Sequence, residues 1–95
     1  MSVIAELAIF PLDKGVGVSA YVKRAVDILR ESGMPCEAGP MGTCVEGAWE
    51  EVMAAVDKCF QNMHRDCDRI YMTLKVDYRR DRKNGMRSKT EAVSG

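Results

Sequence analysis

Two runs of strict alternation near opposite ends of the chain constrain it most. Val3, Ala5, Leu7 and Ile9 alternate with Ile4, Glu6, Ala8 and Phe10, while Ile70, Met72, Leu74 and Val76 alternate with Arg69, Tyr71, Thr73, Lys75 and Asp77. Period-two patterns of this kind define strands with one apolar face and one mixed face. Pro11 ends the first, and the turn-rich stretch 12–18 leads to Ser19, the expected N-cap of a helix with Val22, Ala25, Val26 and Leu29 on one side. Ser32-Gly33 closes that helix. Ala48 to about His64 carries Val52, Met53, Val56, Phe60 and Met63 at helical spacing, with Glu50, Glu51, Asp57 and Lys58 outside. Between the helices, segments 36–38 and 41–46 predict two short strands joined by a tight turn at Gly39-Pro40.

The order strand, helix, strand, strand, helix, strand predicts an α+β, ferredoxin-like βαββαβ domain over residues 1–95. Two helices cover one face of a four-stranded antiparallel sheet. Residues 80–95 form a charged tail, in which Met86 and Val93 could dock a short terminal helix. The uncovered face is expected to carry Glu6, Ala8, Phe10, Thr43, Val45, Tyr71, Thr73 and Lys75, a mixture suited to a subunit interface or a ligand platform. A domain of 95 residues buries a modest share of its surface, so oligomerisation would help it.

Composition narrows the function classes. Fourteen basic and fourteen acidic residues cancel, giving no electrostatic footprint for nucleic acid or an anionic membrane. The uncovered face also lacks the repeated aromatics that stack bases in RNA-binding modules of this topology, and the run from Arg79 to Lys83 reads as a solvated end. Apolar runs fall well short of the roughly 20 residues that span a bilayer. The stretch 1–6 has no basic segment before an apolar one, so a soluble cytoplasmic protein is expected. The four cysteines contain no C-x-x-C and are expected as reduced thiols. Cys59, His64 and Cys67 supply three potential zinc ligands where such a site wants four, so they are assigned to packing rather than to metal.

The stretch 39–52 has the character of a binding edge. Gly39, Gly42 and Gly47 leave room for backbone or ligand, and Thr43 and Glu46 bring a hydroxyl and a carboxylate to a helix entry. Glu6, midway along an apolar strand, needs a partner if it is buried, either Lys75 or a ligand.

Three stretches together carry a family likeness: Phe10-Pro11-Leu12 followed by 15–22, then Gly39-Pro40-Met41-Gly42-Thr43-Cys44-Val45-Glu46-Gly47, then Lys75-Val76-Asp77-Tyr78-Arg79-Arg80-Asp81. In these the chain resembles the small thiamine-binding protein family over nearly its whole length. The resemblance implies a homo-oligomer, a dimer of dimers built by pairing sheets. It also implies that the protein binds thiamine or its hydroxymethylpyrimidine moiety without catalysis and without a further cofactor. Glu6, Thr43 and Glu46 could read the polar edge of an aminopyrimidine, with Gly42 giving access. Phe10, Met41 and Tyr71 could stack on it, and Gly17 and Ser19 could meet the ligand's tail at a helix N-terminus. Plainer roles compete: Ser19 as cap, Glu46 as a charge starting the second helix, Phe10 and Tyr71 as interface. Two other functions stand beside binding, an enzyme using Glu6 or Glu46 as general base and a structural oligomer without ligand.

Overall fold

The computed structural model describes residues 2–81 and 85–94. The elements are β1 (Ser2–Pro11), α1 (Ser19–Glu31), β2 (Cys36–Ala38), β3 (Thr43–Ala48), α2 (Trp49–His64), β4 (Ile70–Tyr78) and α3 (Gly85–Ser94). The strands form one antiparallel sheet in the order β2-β3-β1-β4, the ferredoxin-like arrangement. β1 sits at its centre, which explains why Val3, Ala5, Leu7 and Ile9 are all buried while Glu6, Ala8 and Phe10 are half-exposed.

Those four β1 side chains meet Ala25 and Leu29 of α1, Val45 of β3, and Val52, Ala55, Val56, Cys59 and Met63 of α2 in one core. Fully burying a side chain such as Leu29 or Val52 stabilises by about 1.5–3 kcal/mol, so this layer fixes both helices on the sheet. Burial pushes the Cys59 thiol up to about 11, and its Sγ–H donates to the Ala25 carbonyl. Cys67 is buried near Asp66 in the same core cluster as Cys59, and His64 stacks on Phe60 at 5.5 Å. α1 ends where Ser32 caps it and Gly33 takes φ +83°, a conformation that side chains with a Cβ adopt poorly.

Two carboxylates tie the loops at the bottom of the domain. The amide of Asp68 donates to Asp13 at 2.8 Å and, helped by that of Arg69, holds the Asp13 carboxyl below its ordinary range. The Arg24 guanidinium donates twice to Asp66 at 2.9 Å, lies 4.9 Å over the Tyr21 ring, and lowers Asp66 likewise. A carboxylate depressed on folding stabilises above its unfolded pKa, and that contribution is lost as pH falls through the folded value. The stability difference between wild type and Asp66→Asn in urea is therefore expected to shrink as pH drops from 6 to 3. A difference that stays constant over that range would contradict the pairing.

Several expectations need correction. Thr43 and Val45 lie on the helix-covered face, 5% and 0% exposed, and the third strand turns Cys44 and Glu46 to the other face. The register forces this, since Thr43 stands opposite buried Leu7 and Cys44 opposite Glu6. Ser19 is not the N-cap: Val18 holds that place without a side-chain bond, its carbonyl accepting from the amides of Tyr21 and Val22. Met41 belongs to the hairpin turn, not to a strand, because Gly39 N–H donates to Gly42 O across a two-residue Pro40-Met41 loop. β4 extends one residue beyond the alternating run, to Tyr78. Part of the tail, 85–94, is helical; of its two proposed anchors Met86 is half-buried and Val93 is exposed. The end of the basic run, Arg82-Lys83, lies outside the described residues.

Candidate functional site

β1 is ten residues long and β3 only six, and this mismatch makes the site. Their pairing ends at Leu7 opposite Thr43, whereas β1 runs on beside β4 to Pro11. Beyond Leu7 the β3 side of β1 is open, bounded by the hairpin turn and by α1. The space is a cleft of about 220 Å³. Its floor is β1 from Leu7 to Phe10, its wall is Val22, Ala25, Val26 and Leu29 of α1, and its rim is the stretch 39–43.

The polar groups in this apolar cleft are few. Thr43 is buried, and among the described residues nothing hydrogen-bonds its hydroxyl. The second set belongs to the main chain. Leu12 N–H donates to Arg69 O at 2.8 Å directly opposite it, so Leu12 directs its main-chain polar groups toward β4, and with alternation so do Phe10, Ala8 and Glu6. Leu7 and Ile9 therefore point theirs the other way. Those of Leu7 meet Thr43, but the place opposite Ile9 falls in the Pro40-Met41 turn, where the chain has already bent away. Ile9 thus presents an N–H and a C=O side by side to the cleft, unpartnered among the described residues.

Of the nine residues expected to touch a ligand, four come together here: Phe10, Met41, Gly42 and Thr43. Gly42 is tight as well as small, since a Cβ there would lie 3.0 Å from Glu6 Cγ and 3.3 Å from Leu7 O. Glu6 consequently stands just behind the rim on the other face, where Lys75 pairs with it at 3.4 Å. That ion pair is half-exposed and contributes little stability. Tyr71 stacks on Phe10 at 5.5 Å and supports it rather than lining the cleft. Gly17 and Ser19 do not line the cleft but a shallow depression at the start of α1, which adjoins it across Val22 and Val26.

Glu46 is elsewhere and engaged. Its carboxylate accepts the amides of Gly85 at 2.8 Å and Met86 at 3.3 Å, capping the N-terminus of α3. A second tie joins Lys89 to Asp77 of β4 at 2.8 Å. α3 therefore covers one end of the face that two helices alone would leave bare, and Ile4, beside Glu46 on that face, is buried. The uncovered remainder runs from Glu6 to the Phe10–Tyr71 stack. The residues missed from sequence are the α1 wall and the Ile9 main chain; the unequal strand lengths were the available signal.

A ferredoxin-like domain with a preformed cleft where its central strand outruns a neighbour is the class of protein that fold and site define. The sequence profile of the thiamine-binding protein family matches residues 5–94, and the chain belongs to that family. It is similar to a UPF0045 protein of Methanocaldococcus jannaschii, 36% identical over 91 residues that cover 96% of this chain and 91% of the relative. The crystal structure of a protein from that organism superposes with a TM-score of 0.91 at 35% identity, covering 98% and 96% of the two chains. A Thermotoga maritima protein assigned provisionally to thiamine biosynthesis or salvage shares the fold, with a TM-score of 0.84, 23% identity, and 97% and 99% coverage.

Proposed function

We propose that the protein binds thiamine, or its hydroxymethylpyrimidine moiety, in the cleft beside Thr43 and leaves it chemically unchanged. The observation that carries this reading is a family member's cleft with apolar walls, the Thr43 hydroxyl on its lining and Phe10, Met41 and Gly42 beside it. A flat, mostly apolar heterocycle with a few polar atoms suits such a lining. Glu46, capping α3, is already committed, and Glu6 is paired with Lys75, which weakens the case for either as a general base. Calorimetry with thiamine and hydroxymethylpyrimidine tests the proposal. Thr43→Val, nearly isosteric, is expected to weaken binding roughly tenfold, the effect of one lost hydrogen bond. Absence of heat with either compound at millimolar concentration would reject the reading.

The same reading places assembly at the uncovered end of the sheet. Tyr71, 52% exposed, stacks there on Phe10, and on its other side the edge strand β4 exposes Met72, Val76 and Tyr78. Exposed apolar and aromatic side chains on an open face and along a free edge are stabilised by burial against further copies, consistent with a dimer of dimers. Light scattering at micromolar concentration is expected to give a multiple of 10.6 kDa, and a monomer mass would overturn this part.

A further inference from the structure

We infer that the cleft selects rings bearing an amidine-type edge, a ring nitrogen beside an exocyclic amine, through the main-chain N–H and C=O of Ile9. The inference rests on the cleft being the ligand site and specifies what the site reads. Antiparallel pairing normally gives a residue such as Ile9 a partner that accepts from its N–H and donates to its C=O. The Pro40-Met41 turn withdraws the residue that would do so, and leaves the two groups facing the cleft.

Leaving both unpaired inside an apolar enclosure is costly, so a ligand that satisfies them is favoured by more than its contact area. The 4-aminopyrimidine edge supplies the missing complement: the ring nitrogen accepts from the Ile9 N–H and the amine donates to the Ile9 C=O. In effect the ring stands in for a strand residue. Its plane then lies near the plane of the sheet, with Thr43 Oγ1 on the helix side of β1 available to a further polar atom of the ligand.

A 4-oxo ring reverses this pattern. In the same pose its N3–H would face the Ile9 N–H and its carbonyl oxygen the Ile9 C=O, so both contacts become repulsive; turning the ring over restores them only by exchanging the places of the 2-methyl group and C5 against the cleft walls. Sites built to hydrogen-bond a substrate discriminate strongly against analogues that cannot reciprocate. The Ile9 side chain is buried in the core, which fixes the direction of its main chain and makes the readout insensitive to surface changes.

The test is a titration of the ¹⁵N-labelled full chain with 2-methyl-4-aminopyrimidine, its 4-oxo counterpart and thiamine, following the Ile9 amide and the dissociation constants. The amino compound is expected to move the Ile9 amide proton downfield, and the 4-oxo compound to bind on the order of tenfold more weakly or worse. Equal affinities, or an Ile9 resonance that stays in place while ligand binds, overturn the inference and leave the cleft as the thiamine site. An Ile9 shift with the aminopyrimidine but no binding of thiamine supports the inference and removes the vitamin as ligand. Binding of none of the three overturns both.

Discussion

Replacing Leu29 by alanine is expected to lower the unfolding free energy by about 3 kcal/mol, within the range for leucine deletions in closed cores. Leu29 is 1% exposed and packs in the layer that joins α1 to β1 and α2. For a domain of this size the melting temperature should fall by roughly 15 °C. Leu29→Met keeps most of the volume and should cost under about 1.5 kcal/mol. The pair separates packing from any special need for leucine. Because Leu29 also walls the cleft, Leu29→Ala should alter ligand affinity together with stability, whereas Thr43→Val changes affinity with little effect on folding. Chemical denaturation measures the first effect, and a loss below about 1 kcal/mol would show that α1 does not sit over the core as described.

Glu46→Ala should release α3. Hydrogen bonds to a charged acceptor contribute about 1.5–3 kcal/mol each, and here two converge on one carboxylate at a helix N-terminus, where negative charge is also favoured by the helix dipole. α3 has ten residues, fewer than the roughly 12–15 at which an isolated helix becomes even marginal in water. Without its cap α3 keeps the Lys89–Asp77 pair and the Met86 contact but loses the charged acceptor at its N-terminus. Amide exchange should then become fast across 86–94 while α1 and α2 keep their protection, and helical circular dichroism should fall by the share of those ten residues. Glu46→Gln, which retains an uncharged acceptor, should lie between. Unchanged protection in Glu46→Ala would mean that α3 is held by other contacts.

The first and last strands and both main helices were legible because their signals are local and repeated. From Ala5 to Pro11 β1 alternates between buried and half-buried residues, and sixteen residues of α2 keep one apolar stripe. β3 was not legible in the same way. Thr43 to Ala48 offers a hydroxyl, a thiol, a carboxylate and a glycine, so neither face is purely apolar, and alternation cannot say which half points inward. Pairing with the central strand decides it by setting Thr43 opposite Leu7. Glu46 was readable as an acid near a helix start, but the helix it serves begins thirty-nine residues later. The wall of the cleft looked like ordinary core, since Val22, Ala25, Val26 and Leu29 have the same spacing whether they meet protein or ligand. An unpaired main-chain group leaves no mark on residue identity; only the difference in strand length betrays it.

The central position of β1 also governs how the polypeptide is made. Its first neighbour, residues 43–48, emerges from the ribosome near mid-synthesis, but its second, residues 70–78, appears only when most of the chain has been translated. Until then one whole flank of the earliest strand lacks its hydrogen-bonding mate. Such long sequence separation slows closure and prolongs exposure of a sticky edge. Any nascent form that pairs its first three strands early would leave that flank open to pairing with neighbours on a polysome until the last strand seals it.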